Sequence, residues 1–124
     1  MQEGNIWEAL LAISKYNPEN LVVIIDANNV QLDGYVTDIM NIYPLKEKLE
    51  SYNFKVHEVY GHNIEDMVEL FENNLSKDKS NIIIAKTIKG RGISFMENKN
   101  TWHGKAPNED EYLRGLKELE GGAR

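Results

Sequence analysis

Apolar positions along the chain alternate between helical spacing and unbroken runs of β-branched residues. Residues 5–16 place isoleucine and leucine at helical spacing beside helix-favouring alanines. Pro18 ends this predicted helix, because proline disfavours the helical conformation in the residue before it. Residues 21–25 (Leu-Val-Val-Ile-Ile) then form a continuous apolar run. Such a run is typical of a strand that is buried on both faces of a parallel sheet.

The same two patterns recur to the end of the chain and predict an α/β fold. The further predicted elements are a helix from Pro44 to Tyr52, a strand from Lys55 to Val59, a helix from Asn63 to Leu75, a strand from Asn81 to Thr87 and a helix from Asn108 to Gly121-Gly122. Strands that alternate with helices imply βαβ units with right-handed crossovers. We therefore expect a parallel sheet with flanking helices.

Two strongly apolar strands with so few helices to cover them indicate a surface that another chain buries, so we expect an oligomer. The 124 residues suffice for one domain, and the net charge of −6 argues against nucleic acid as the main partner. The absence of cysteine excludes disulfides and thiolate zinc sites. No apolar run approaches the roughly 20 residues that span a bilayer, and no basic signal-peptide region precedes the first helix. We expect a cytoplasmic protein with no membrane partner.

Asn28 and Asn29 directly follow the first predicted strand, at the edge where open α/β sheets bind ligands. The pair has two interpretations. Asparagine tolerates the left-handed conformation and bonds its own backbone, so the pair is typical of a turn, as is the nearby Asp33-Gly34. On local chemistry alone the turn is favoured over a ligand site.

A glycine-containing basic segment, Lys86-Thr-Ile-Lys-Gly-Arg-Gly-Ile-Ser-Phe95, follows the third predicted strand. It fits neither a Walker loop nor a GxGxxG turn that opens a helix, so taken alone it indicates a flexible basic turn. His57 lies in a strand pattern and His62 precedes a helix, and we interpret both as ordinary structural residues. The chain has no HExxH zinc motif and no GxSxG nucleophile motif.

Three segments together resemble transketolases: Gln2-Glu3-Gly4, Asp26-Ala-Asn28-Asn-Val30-Gln-Leu-Asp-Gly34, and the Lys-Gly-Arg-Gly loop that leads to Thr101-Trp-His103-Gly-Lys-Ala-Pro107. The resemblance implies that the Asn28 side chain and the Val30 carbonyl bind Mg²⁺ (or Ca²⁺ or Mn²⁺) beside thiamine diphosphate. It implies that Glu3 and Gly4 lie near the cofactor at a subunit interface. It also implies that His103 contacts the cofactor diphosphate and the sugar and takes part in proton transfer. For Glu3 there is an alternative, a carboxylate that interacts with the dipole of the first helix.

In the family, a Gly-Asp-Gly that supplies the carboxylate metal ligand stands just ahead of the Glu-Gly, and it has no counterpart here. The resemblance therefore implies that residues 1–124 are a partial thiamine-diphosphate-binding domain. The expected partners are complementary chains that carry the upstream segment and the pyrimidine-binding domain. The expected function is transfer of a two-carbon ketol unit between sugar phosphates, as in the pentose phosphate pathway. The alternatives are a related enzyme such as a deoxyxylulose-phosphate synthase, and a catalytically incomplete domain with a folding or partner-binding role.

Overall fold

The computed structural model describes residues 1–122, which form two compact units. The first, here called the sheet unit, comprises Met1–Ala27 and Met40–Thr87. The second, here called the hairpin unit, comprises Asn28–Ile39 and the described part of Ile88–Arg124.

The elements follow the predicted order, with a short hairpin added after the first strand. In chain order they are α1 (Gly4–Tyr16), β1 (Val22–Asp26), β2 (Val30–Gln31), β3 (Gly34–Tyr35), α2 (Val36–Ile39), α3 (Leu45–Ser51), β4 (Lys55–Tyr60), α4 (Ile64–Glu69) continued by a π-helical turn (Leu70–Asn74), β5 (Asn81–Lys86), a 3₁₀ turn (Asn100–Trp102) and α5 (Glu109–Gly122). No helix among residues 1–122 has the length and apolar character needed to cross a bilayer.

The sheet unit contains a three-stranded sheet in the order β1-β5-β4, with both neighbouring pairs parallel. This confirms the predicted α/β architecture. The central strand, β5, is buried on both faces, with Ile82 and Ile83 completely inaccessible to solvent. On one face, Ile82 and Ile84 pack in a core cluster with Leu49 of α3 and Leu10 of α1. The apolar run of β5 is therefore explained by its central position.

The prediction for the first strand is wrong in one respect, because β1 is not buried on both faces. Ile24 is 54% exposed, whereas its register partner on β5, Ile83, is fully buried. The reason is position: β1 pairs with β5 on one side only, and among the described residues its other edge has no strand beside it. Ile24 belongs to the face opposite the core cluster, since side chains alternate along a strand.

Asparagine residues lie at three of the helix boundaries that the sequence predicted. Asn17 ends α1 in the left-handed conformation, with φ of 41°. The Asn63 side chain accepts hydrogen bonds from the backbone N–H groups of Glu65 and Asp66 at the start of α4. Asn108 and Glu111 each accept the other's backbone N–H at 2.9 Å, a reciprocal cap at the start of α5.

The hairpin unit adds the elements that the sequence pattern did not predict. β2 and β3 pair antiparallel in the register Val30↔Tyr35 and Gln31↔Gly34, with a two-residue turn at Leu32 and Asp33. The expected turn at Asp33-Gly34 thus forms the tip of a short hairpin. Strands of two residues are too short to give a periodic signal, which is why the pattern missed them.

Candidate functional site

The Asn28–Val30 turn begins two residues after the end of β1. The Asn28 Oδ1 accepts the backbone N–H of Val30 at 2.8 Å, and Asn29 adopts the left-handed conformation with φ of 58°. The hairpin closes through a hydrogen bond of 3.0 Å from the Val36 N–H to the Asn29 carbonyl. The turn interpretation of this pair is confirmed in its geometry. A ligand role is compatible with it, because an amide oxygen can accept more than one contact.

A second side-chain oxygen at this turn supports a polar ligand. The Asn29 Oδ1 is buried, and no hydrogen-bond partner reaches it from the part of the chain that the structure describes. A buried polar atom without a partner is costly, typically by about 1–3 kcal/mol. Amide and carbonyl oxygens are hard ligands of the kind that Mg²⁺ prefers. The donor set of the turn therefore fits a hard cation with an oxygen-rich cofactor.

Hydrogen bonds within the sheet unit hold the ends of β1 and β5. The Thr87 hydroxyl donates a hydrogen bond to the Asp26 carboxylate. The Ala27 N–H donates to the Ala85 carbonyl at 2.8 Å, which extends the β1–β5 pairing by one residue. A side chain on Gly61 would bring its Cβ within 2.7 Å of Thr87 Cγ2, so the third strand end fits closely here too. These contacts therefore fix the positions at which β1, β5 and β4 end.

The Lys-Gly-Arg-Gly segment is a compact series of turns. Gly90 and Gly92 have φ of 73° and 93°, a region that side chains rarely adopt. A Cβ at Gly90 would stand 2.8 Å from the Met96 carbonyl, so this glycine is required by space as well. The loop folds back on itself through a hydrogen bond of 2.9 Å from the Asn98 N–H to the Lys89 carbonyl. Sequence reasoning predicted a turn here but not its compactness.

His103 follows the 3₁₀ turn and is exposed. Its backbone N–H donates to the Asn100 carbonyl at 2.9 Å, which fixes where the histidine leaves the turn. The neighbouring Trp102 indole donates to the Phe95 carbonyl at 3.1 Å, and the Lys105 ammonium lies 4.2 Å from the Trp102 ring centroid. The histidine therefore stands on an anchored loop with its imidazole open to a ligand.

Glu3 and Gly4 belong to the sheet unit, whereas the other predicted site residues belong to the hairpin unit. Glu3 precedes α1 and makes no side-chain capping hydrogen bond. A Cβ added to Gly4 would meet nothing within 4 Å, so space surrounds it. A carboxylate before a helix start is compatible both with the dipole alternative and with a role near a cofactor.

The two remaining histidines contact neighbouring side chains within the sheet unit. The His57 Nε2 lies 3.1 Å from the Asn81 Oδ1 within the sheet unit, and His62 makes an edge-on contact with the Tyr60 ring at 5.4 Å. The described residues contain no cluster of three or more histidine, cysteine or acidic side chains that could hold a metal ion.

Sequence reasoning missed two residues that join parts of the candidate site, Asn100 and Tyr35. Their partners lie 68 and 63 positions away along the chain, at Leu32 and Asn98. No local pattern reports contacts at such separations, so no signal in the sequence alone identified them.

Comparison with known proteins gives one consistent result. Residues 1–121 match the family model described as transketolase, thiamine diphosphate binding domain. The chain is 41% identical over 117 residues to one subunit of the apulose-4-phosphate transketolase of Actinobacillus succinogenes, covering 94% of this chain and 42% of that protein. It is 33% identical to the SqwG subunit of the 6-deoxy-6-sulfo-D-fructose transketolase of a Clostridium species, covering 95% of this chain and 43% of that protein.

Among solved structures, a transketolase from Campylobacter jejuni superposes with a TM-score of 0.87 and 27% identity. That match covers 96% of this chain and 19% of the solved chain. The chain thus spans about two fifths of the length of the curated relatives named above and about one fifth of the solved transketolase.

Proposed function

We propose that this chain forms part of an enzyme that transfers a two-carbon ketol unit between ketose and aldose phosphates, because the chain belongs to the transketolase family through its thiamine diphosphate binding domain. The proposed cofactors are thiamine diphosphate and Mg²⁺. The observation that carries the proposal is the Asn28–Val30 turn, which combines the family's sequence pattern with an orphaned buried oxygen on Asn29.

Asn28 and Val30 are the proposed metal ligands, the first through its side-chain oxygen and the second through its backbone carbonyl. Thiamine diphosphate, when bound, supplies the carbanion chemistry that breaks and forms a carbon–carbon bond beside a ketone. His103 contacts the diphosphate and the sugar, and its imidazole moves a proton to or from a sugar hydroxyl. A histidine suits this work because its pKa ordinarily lies near neutrality. Glu3 and Gly4 line the cofactor site at a subunit interface.

The relatives' names support the proposed substrate class. One relative is named for apulose-4-phosphate and another for 6-deoxy-6-sulfo-D-fructose, both sugars with an anionic end group. We assign phosphorylated ketoses and aldoses as the substrates of this enzyme. Its proposed location is the cytoplasm, where phosphorylated sugars are formed and retained.

The proposed partners are complementary transketolase chains, which supply the carboxylate metal ligand and the pyrimidine-binding domain. Two observations support an oligomer. The names of two curated relatives describe them as subunits. In addition, Ile24 on the edge strand β1 is an exposed large apolar residue of a strand with one open edge.

The first test is calorimetric titration with thiamine diphosphate in excess Mg²⁺, on the chain alone and on the chain co-expressed with the products of neighbouring genes. The chain alone should bind weakly or not at all, whereas the assembly should bind and transfer a ketol unit. Micromolar binding to the chain alone would show that it needs no partner. Failure of every assembly to bind would favour the alternative of a catalytically incomplete, partner-binding domain.

The second test concerns the β1 edge. Ile24→Lys should reduce co-purification with the complementary chains, because it places a charge on the surface proposed for their docking. Leu11→Lys is a matched control, since Leu11 is 53% exposed on α1 and Ile24 is 54% exposed. Light scattering that gives a stable monomer of the wild-type chain at high concentration would count against the oligomer.

A further inference from the structure

Asn100 joins the loop that carries His103 to the hairpin that carries the candidate metal ligands. Its side-chain Nδ2 donates a hydrogen bond to the Leu32 carbonyl, at the tip of the β2–β3 hairpin, over 3.3 Å. Its backbone carbonyl accepts the His103 N–H at 2.9 Å. One residue therefore contacts the hairpin with its side chain and the histidine with its main chain.

Tyr35 makes a second connection between the same two segments. Its hydroxyl donates to the Asn98 carbonyl over 3.4 Å, and across the hairpin it pairs with Val30. Beside these two connections lies a half-open pocket of about 180 Å³, lined by residues that include Val30, Tyr35, Asn98 and Lys99. The connections thus border a pocket beside the Val30 position.

The hairpin is short enough to carry a displacement at its tip to the turn at its base. Leu32 lies two residues beyond Val30, and the turn is closed by the Asn28 Oδ1 bond to the Val30 N–H. The bond from the Val36 N–H to the Asn29 carbonyl ties the other end of the hairpin to the same turn. Hydrogen bonds therefore connect the Asn28–Val30 turn to the hairpin, the hairpin to Asn100, and Asn100 to His103.

We infer that Asn100 and Tyr35 are positioning residues, which couple occupation of the Asn28–Val30 turn to the placement of His103. The inference rests on the proposed function of that turn. Neither residue reaches the substrate in this role; both act through the segments that they hold. Loss of one such hydrogen bond changes an equilibrium by about two- to tenfold, and this sets the size of the expected effect.

The two tryptophans of the chain provide a readout that is independent of turnover. Trp102 is adjacent to His103, whereas Trp7 lies in α1 of the sheet unit. With 5-fluorotryptophan incorporated into this chain only, the assembly with its complementary chains gives two fluorine signals from this chain. In the wild type, addition of Mg²⁺ and thiamine diphosphate should change the Trp102 signal.

The variants to compare are Asn100→Ala and Tyr35→Phe, with Tyr112→Phe as the control. Tyr112 is an exposed tyrosine of α5 in the same unit, and within residues 1–122 its hydroxyl bonds no other group. The two test variants should lose at least half of the Trp102 response at saturating cofactor. Their turnover should fall about two- to tenfold. The Mg²⁺ concentration that they require should also rise about two- to tenfold, because each variant loses one hydrogen bond that holds the hairpin carrying the candidate metal ligands. Tyr112→Phe should match the wild type in all three measurements.

The outcomes separate this inference from the proposed function. If the wild-type assembly binds the cofactor but both variants keep the full Trp102 response, the coupling is wrong and the proposed function stands. If the wild-type assembly does not bind thiamine diphosphate, the proposed function fails and the coupling is overturned with it. A normal circular-dichroism melt of Tyr35→Phe, which removes one oxygen atom, excludes misfolding as the cause of a lost response.

Discussion

The sheet unit and the hairpin unit are stabilised by different kinds of contact. In the sheet unit, apolar side chains such as Leu49, Ile82 and Ile83 are completely buried. In the described part of the hairpin unit, Gly115 of α5 is the one buried residue. Elsewhere that unit relies on polar and ring contacts, such as the Ser94–Glu118 hydrogen bonds and the Arg114 guanidinium 4.7 Å from the Phe95 ring centroid.

This difference in stabilising contacts corresponds to a difference in the proposed roles of the two units. Apolar burial gives the sheet unit the larger stabilisation, about 25 cal/mol for each Å² removed from water. Exposed hydrogen bonds contribute less, and regions that depend on them open more easily. Four of the polar groups proposed for function or positioning, those of Asn28, Val30, Asn100 and His103, lie in the hairpin unit. Functional groups on loops held by a rigid scaffold are a common arrangement.

The largest expected effect compares one substitution in the two units. His103→Ala in the hairpin unit should reduce turnover of the assembled enzyme by about 10²–10⁴-fold, because it removes a positioned proton-transfer group. His57→Ala in the sheet unit should leave turnover near the wild-type value, since His57 contacts Asn81 within the fold. Steady-state kinetics at saturating cofactor measures both. Equal losses in the two variants would remove the functional distinction between the units.

The next effect is on stability. Leu49→Ala should lower the free energy of unfolding by about 2–5 kcal/mol, because it leaves a cavity in a fully buried core. Leu113→Ala, at a 56% exposed position in α5, should change it by about 0.5 kcal/mol or less. Urea denaturation followed by circular dichroism gives both values. A large loss from Leu113→Ala would show that the apolar side of α5 is buried against a partner or another copy.

A smaller effect is expected at the metal ligands. Asn28→Ala should raise the Mg²⁺ and thiamine diphosphate concentrations needed for half-saturation by about tenfold or more, since even indirect partners of a metal contribute that much. Turnover at saturating Mg²⁺ should fall less than in His103→Ala. Asn20→Ala, in the loop after α1, is the control. Unchanged metal dependence in Asn28→Ala would leave only the turn interpretation for this residue.

The smallest expected effect is on the dependence of stability on pH. Hydrogen bonds from the Ser94 backbone N–H, and then from its hydroxyl, hold the pKa of the Glu118 carboxyl below its ordinary value of 4.5. The folded state therefore binds this proton less readily than the unfolded chain. Its stabilisation is complete above pH 4.5 and is lost as the pH falls below that value through the folded-state pKa.

In Glu118→Gln, the melting temperature of the protein should therefore fall less on acidification than in the wild type. In Glu120→Gln, at an exposed position of the same helix, it should fall as in the wild type. Thermal melts between about pH 6 and about pH 3 compare them. Identical acid profiles for wild type and Glu118→Gln would mean that the Ser94 contact does not hold α5 in solution.

The sequence by itself determined the features that depend on neighbouring residues. The apolar periods specified four helices and three strands in the correct order, and Pro18, Asn63 and Asn108 specified helix ends. Asn28 bonds a backbone group two positions away, so its turn was also predictable. Each of these features is set by conformational preferences and hydrogen bonds within a few residues, which is why local patterns report them.

The tertiary structure alone decided which residues meet across long stretches of chain. It placed β5 at the centre and β1 at the edge, so two similar apolar runs received opposite exposures at Ile83 and Ile24. It brought Asn100 to Leu32 and Tyr35 to Asn98, across 68 and 63 residues. Such contacts depend on how helices, strands and loops pack together. The sequence around a residue does not identify its distant partner. The candidate ligand residues could therefore be named from the resemblance of sequence segments to a known family, whereas their connection to the histidine could not.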